Sequence, residues 1–293
     1  MQIKKRLGFM NTLVIRAFQA SIFMVKCGLC MRKKSPDYLR SLLEKAPAAW
    51  ALIRANEIRA LDKVTFKHPI LDVGCGDGVV VKVLMSNRKE KFDWGIDLSQ
   101  REIDKANKLG VYKNCKVANV YALPFRDGMF LTVFSNSVIE HIPNLEKAVS
   151  EMSRVLKKDG SLILTVPSPY LEKYLLGTTL LGPWYGKLFN KLFKHHNLYT
   201  HNGWEKIFKK HSLKLVFHHY YHTRAMIRVH EILSYLSLPA HLAKLFVGYW
   251  PIFPKVRRLL VVPWLRQLLY KFYIKDVEKD EGGSLLLVAK KFE

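Results

Sequence analysis

The chain has 293 residues, 49% of them hydrophobic and 12% aromatic, which excludes a disordered tail and allows one sizeable α/β domain with additions. Lysine and arginine number 48 against 24 acidic residues, a net charge of +24; a charge that large points to nucleic acid, anionic lipid or an anionic small substrate. Four cysteines, one of them inside a glycine loop, exclude a secreted disulfide scaffold.

Residues 1–36 hold no acid, and Lys4, Lys5, Arg6, Arg16, Lys26, Arg32, Lys33 and Lys34 alternate with apolar residues. Arg16 and Lys26 interrupt the apolar run from Leu7 to Met31, which makes it a poor membrane span. It reads as a basic amphipathic helix at a membrane surface. A mitochondrial-type presequence and a helix packed on the domain are the alternatives. Cys27 and Cys30 form a lone Cys-x-x-Cys; a zinc site takes about four ligands and no second pair follows, so they read as reduced thiols.

From Asp37 to Leu61, Leu39, Leu42, Leu43, Trp50, Ile53 and Ile58 recur at helical spacing, with a break at Pro47. Strand and helix then alternate. Pro69–Val73 is a short strand and Val79–Ser86 a helix. Phe92–Ile96 is a strand ending at Asp97, and Ser99 caps a helix that stops at Gly110. Strands follow at Cys115–Ala118 and Met129–Ser135. Asn144 caps a helix stopping at Asp159-Gly160, and Ser161–Val166 is a fifth strand. Short links between such elements imply a parallel sheet covered on both faces.

Beyond Pro167 the rhythm changes. Residues 168–201 form an apolar and aromatic connection, followed by a helix at Gly203–His211, a strand at Leu213–Tyr221 and a last strand at Ser284–Lys290. Seven strands result, in an α/β, doubly wound, Rossmann-like, mostly parallel sheet with helical insertions. Residues 37–222 and 283–293 make that domain, and 223–282 form an apolar and basic helical insertion before the last strand. Prolines 239, 251, 254 and 263 break the insertion into short helices, so it holds no clean membrane span.

Ile70 opens the run Ile-Leu-Asp-Val-Gly-Cys-Gly-Asp-Gly. Glycine at 74, 76 and 78 lets the backbone turn sharply and approach a ligand at the carboxyl end of the first strand, where doubly wound sheets bind nucleotides. Asp97, about 20 residues on, is placed to accept both ribose hydroxyls. Those two features also fit a dinucleotide. The third does not: Val117-Ala118-Asn119-Val120-Tyr121-Ala122-Leu123-Pro124-Phe125, then Asp127-Gly128-Met129-Phe130, then Val138-Ile139-Glu140-His141-Ile142. In these motifs, strongly from Ile70 to Pro167, the chain resembles the class I S-adenosylmethionine-dependent methyltransferases of the ubiquinone/menaquinone-methylase type (methyltransferase type 11).

The resemblance implies S-adenosyl-L-methionine as cofactor. Gly74, Cys75, Gly76 and Gly78 would cradle its methionine part, Asp72 would orient its amine and Asp97 would bind its ribose, with Leu98 and Asn136 in the same cofactor set. Val120 would offer a backbone N–H to adenine. Asn119 departs from the aspartate usual at its position, but its carbonyl can still accept from the adenine amino group. His141 would sit near the reactive methyl as a general base, or shape the pocket without moving a proton. His195, His196, Tyr199 and His201 fall on the substrate side of the resembled cleft. No metal site is expected. The expected acceptor is small and lipophilic, and the two apolar segments imply peripheral membrane contact from the cytoplasm, or a mitochondrial location if the source is eukaryotic. Nucleic-acid methylation and a non-catalytic scaffold are the alternative functions. The first lacks an Asn/Asp-Pro-Pro-Tyr/Phe tetrapeptide and an RNA-binding appendage, and Asn119 alone favours the second.

Overall fold

A computed structural model describes residues 37–86, 88, 90–238 and 257–292 of the chain. The expected N-terminal amphipathic segment, with Cys27 and Cys30, lies outside the described residues, as do Pro239, Pro251 and Pro254.

Two helices precede the sheet: α1 (Tyr38–Leu43) and α2 (Ala48–Leu61), separated at Pro47 as the spacing predicts. The alternating part comprises β1 (Ile70–Val73), α3 (Val79–Leu84), β2 (Phe92–Asp97), α4 (Gln100–Leu109), β3 (Tyr112–Val117), β4 (Phe130–Asn136), α5 (Leu145–Val155) and β5 (Leu156–Pro167). The connection after it folds into α6 (Tyr170–Tyr174), α7 (Leu176–Leu181) and α8 (Pro183–Leu192). The chain closes with α9 (His201–Lys209), β6 (Leu213–Tyr221), α10 (Arg224–Leu236), a π-turn at Arg257–Val261, α11 (Val262–Ile274) and β7 (Ser284–Lys291).

Caps fix the helix ends where the sequence places them. Ser99 Oγ accepts from the Glu102 N–H, Asn144 Oδ1 from Lys147 N–H, and Gly110 closes α4 in the left-handed conformation. Two boundaries differ from expectation. β3 starts at Tyr112 rather than Cys115, because pairing with β2 runs from Phe92↔Tyr112 to Asp97↔Val117. α5 passes directly into β5: Leu156 already pairs with Phe130, and the expected stop at Asp159-Gly160 is a register shift inside the strand pairing. Pro263 sits in the first turn of α11, where its missing N–H costs nothing, so it starts a helix rather than breaking one.

The seven strands lie in the order β3-β2-β1-β4-β5-β7-β6. β7 alone runs antiparallel, slotted between β5 and β6. Successive side chains of a strand point to opposite faces. Ile70, Ile163 and Leu286 therefore join one core with Leu42, Leu52 and Ile58, while Leu71, Leu162, Leu164, Leu285 and Leu287 join the other with Met152, Trp204 and Phe208. Both faces are dry, as a doubly wound sheet requires.

The described residues from Tyr38 onward belong to one compact unit. The described helices of the 223–282 segment pack into it: α11 buries Val262, Leu269 and Tyr273 with α1 and α2, each side chain contributing about 1.5–3 kcal/mol. Asn56 Nδ2 donates to the Tyr273 carbonyl at 2.8 Å, and Arg59 pairs with Asp276 at 2.8 Å. α10 seats Ile227 against Leu171 and Leu175.

Candidate active site

The carboxyl ends of β1, β2 and β4 meet where the strand order reverses, at β1 and β4. The loop after β1 turns through Gly74, Gly76 and Gly78, all at positive φ. At Gly74 two constraints coincide: φ is +78°, and a Cβ would stand 2.4 Å from Val138 Cγ2. Gly76 faces open space, with nothing within 4 Å of an added Cβ. The loop is pinned by Gly74 and Cys75 N–H donation to the Ile96 carbonyl, each at 2.8 Å. The Cys75 thiol, half-buried behind it, is pushed up by burial and by nearby Asp72, and stays protonated.

Asp72, the third residue of β1, is buried. One oxygen accepts from the Tyr112 hydroxyl at 2.7 Å; Oδ1 has no partner. Burial pushes its pKa up to about 7, against the lowering effect of the Tyr112 hydrogen bond. An unpaired buried carboxyl oxygen costs stability, and a cationic donor is the chemistry it lacks. Asp97 supports the loop directly: Oδ2 accepts from the Gly76 N–H at 3.0 Å and Oδ1 from the Ser99 N–H at 2.9 Å. Each carboxylate oxygen can accept twice, so both remain open to a diol.

Gly74, Asp97, Leu98, Val120, Val138 and Ile142 line a cleft of about 140 Å³. Leu98 is 66% exposed on its rim. Asn119 is exposed nearby, and its carbonyl already accepts from the Tyr121 N–H at 3.0 Å, so one lone pair serves its own turn and one is left for a ligand. Asn136 does not join this cleft. It accepts from Thr165 Oγ1 at 2.7 Å and donates to Glu57 at 3.2 Å.

The 136–142 turn divides that cleft from a larger cavity of about 350 Å³. Val138 faces the cleft, while Ser137, Glu140 and His141 face the cavity. Its walls are Trp50, Ile53, Leu171, Leu175, Phe189 and Phe193; its polar floor is Arg54, Glu57, Ser137 and Glu140. Arg54 pairs with Glu57 at 2.6 Å and also donates to Ser137 Oγ at 3.0 Å, and Ser137 Oγ donates to Glu57 Oε1 at 2.9 Å. Burial alone would raise Glu57; the Arg54 charge and hydrogen bond more than offset it and hold Glu57 ionised. Glu140 has no such cation in contact. Burial pushes it up to about 8, and Oε2 is buried without a partner. It is a neutral acid at pH 7.

His141 is exposed on the cavity wall, with Nδ1 3.3 Å from the Lys194 carbonyl and Nε2 3.9 Å from Glu140 Oε1. A carbonyl only accepts, so Nδ1 carries the proton and Nε2 is the basic nitrogen. The other singled-out polar residues do not converge. His195 lines the cavity, its pKa pulled down to about 4 by burial. The His196 N–H donates to the Glu140 carbonyl, Tyr199 packs edge-on against Trp204, and His201 stacks on His218. Sequence reasoning missed Tyr112, Arg54 and Glu57. The signal for Glu57 was present: an acid between Leu52, Ala55 and Ile58, on the buried face of a helix.

A family model described as a methyltransferase domain matches residues 71–164. Over 168 residues the chain is 27% identical to the ubiquinone biosynthesis O-methyltransferase of Pelagibacter ubique, covering 55% of this chain and 64% of that protein. Over 129 residues it is 31% identical to 24-methylenesterol C-methyltransferase 3 of Arabidopsis thaliana, covering 41% and 35%. The chain thus spans less than two thirds of the length of these relatives. A solved structure of a SAM-dependent methyltransferase from Thermotoga maritima superposes with a TM-score of 0.51 at 19% identity, over 83% of this chain and 91% of that one, a likeness of fold. Residues 71–164 thus match a methyltransferase domain, and the strand order and glycine loop around them are those of a Rossmann-like methyltransferase fold.

Proposed function

We propose that the chain transfers a methyl group from S-adenosyl-L-methionine to a small lipophilic acceptor held in the large cavity. The observation that carries this reading is the pairing of two adjoining spaces across one turn: a glycine-loop cleft bordered by Asp97, and an apolar-walled cavity whose floor sets a neutral Glu140 beside the Arg54–Glu57 ion pair. The donor set around the cleft fits the cofactor. Asp97 would offer its spare lone pairs to a diol, Leu98 and Val120 apolar contact to a base, and Asp72, buried behind the glycine loop, its unpartnered oxygen to an amine. When bound, that cofactor supplies an activated methyl on a sulfonium.

The chain's own part is positioning and dehydration. Trp50, Leu171, Phe189 and Phe193 exclude water from the acceptor, and proximity accounts for much of the rate when the methyl is already activated. His141 Nε2 is free to take a proton from a hydroxyl acceptor. If His141 only shapes the wall, His141→Gln leaves the pH–rate profile unchanged in form.

Peripheral membrane contact belongs to the same reading. Phe189 and Phe193 of the α8 region line the cavity while Trp184, Leu188 and Leu192 on that helix face outward, Trp184 at 57% exposure and Leu192 at 70%. Lys187, Lys191 and Lys194 are exposed among them. Apolar residues ringed by lysine suit an anionic bilayer surface. Among the described residues, no helix is long and apolar enough to cross a membrane.

The test is incubation with methyl-labelled S-adenosylmethionine and whole-cell extract, followed by solvent partition. Label in the organic phase supports a lipophilic acceptor. Label confined to RNA or to the aqueous phase refutes it.

A further inference from the structure

Among the described residues, one group of three metal-ligating side chains lies away from both cavities: His201 at the start of α9, His218 on β6, and Asp280 in the connection to β7. One donor atom from each lies within 4.8 Å of the other two. The imidazoles stack with centroids 4.1 Å apart and planes 2° from parallel, and His218 Nε2 is 3.3 Å from Asp280 Oδ2. The three come from separate elements, so the fold, not sequence spacing, assembles them.

We propose that His201, His218 and Asp280 bind a divalent transition metal of the zinc type, which ties α9 to the β6 edge of the sheet. The ligand chemistry is right: two imidazoles and a carboxylate are common zinc donors, with water completing the shell on the exposed side. A second shell is present. The buried Tyr220 hydroxyl accepts from the His201 backbone N–H at 3.2 Å and stands 3.3 Å from His201 Nδ1. With Nδ1–H donating to that oxygen, Nε2 is left bare for a metal, the arrangement that orients histidine ligands elsewhere. The geometry also sets what must move. Tetrahedral donors about 2.1 Å from zinc lie roughly 3.4 Å apart, so the rings must swing out of parallel and Asp280 must close in. Asp280 is exposed and on a connection, which permits that movement.

A dication at this place would take one ring nitrogen from each imidazole and pair with the Asp280 carboxylate. Because α9 delivers Trp204 and Phe208 into the core, fastening its first residue to β6 stabilises the sheet's far edge, and ligand-free protein melts earlier.

The experiment is zinc titration of the full, metal-stripped chain by competition with a chromophoric chelator, together with cobalt absorption spectra and melting with and without zinc. The expected result is one zinc per chain and a zinc-dependent rise in Tm. Binding should weaken tenfold or more in His201→Ala and His218→Ala, and by about 10–100-fold in Tyr220→Phe. Asp280→Asn, an exposed change that leaves the fold intact, serves if a histidine variant fails to fold. Cys27→Ser/Cys30→Ser must bind as the unaltered chain does. No stoichiometric uptake, uptake undiminished in the His218→Ala and Asp280→Asn chains, or uptake lost with the cysteines instead would overturn the proposal.

Discussion

If Asp72 Oδ1 receives the cofactor's amine, as proposed, cofactor binding is a proton-linked event. Its buried carboxyl titrates near pH 7 because desolvation outweighs the Tyr112 hydrogen bond, and Oδ1 has no donor. A cationic amine arriving at that oxygen favours the ionised form and pulls the pKa down. With a free-state pKa of about 7, binding releases about 0.9 proton at pH 6, about 0.5 at pH 7 and about 0.1 at pH 8. Affinity for S-adenosylhomocysteine is correspondingly about tenfold weaker at pH 6 than at pH 8, or about 1.4 kcal/mol. Isothermal titration in buffers of different ionisation enthalpy reads the proton count directly. Asp72→Asn should abolish the release. Binding at pH 6 with no proton released, or the same release from Asp72→Asn, would refute the reasoning.

Three further outcomes are expected. Gly74→Ala forces a Cβ against Val138 at a positive φ, so urea unfolding should show a loss of about 2–4 kcal/mol; adding Val138→Ala should recover only the steric part. Glu57→Gln removes the partner of the Arg54 guanidinium and should cost about 3–5 kcal/mol, read by the same unfolding; wild-type stability would show that solvent already screens the pair. Glu140 has a raised folded-state pKa, so its contribution to stability is fully present below the unfolded value and is lost progressively as pH rises from there to about 8. Glu140→Gln should therefore match the parent near pH 4 and exceed it in Tm increasingly from there to about pH 8, and parallel Tm curves across that range would count against a neutral Glu140.

The parallel core was legible because apolar strands ending in Gly74 or Asp97, with caps at Ser99 and Asn144, are local signals. β3 was read three residues late because Tyr112 and Lys113 look like a helix exit until pairing with Phe92 is known. The α5–β5 junction was misplaced because Asp159-Gly160 is ordinary stop chemistry, and a register shift leaves no mark in one strand alone. In the site, the residues on the β1 and β2 loops were readable from spacing. Tyr112, Arg54 and Glu57 were not, because they reach it across the fold from β3 and α2. Asn136 was grouped with the cofactor residues, whereas its hydrogen bonds are to Thr165 and to Glu57 of the cavity floor. His201 was grouped with its sequence neighbours, while its partner His218 lies on another element.

The most direct test of the central claim is equilibrium binding of S-adenosylhomocysteine to the purified chain and to Asp97→Ala at pH 8. The account predicts one site per chain, weakened about 10- to 150-fold by loss of the carboxylate's hydrogen bonds, or about 1.5–3 kcal/mol. No binding to the unaltered chain, or equal affinity in Asp97→Ala, would contradict it.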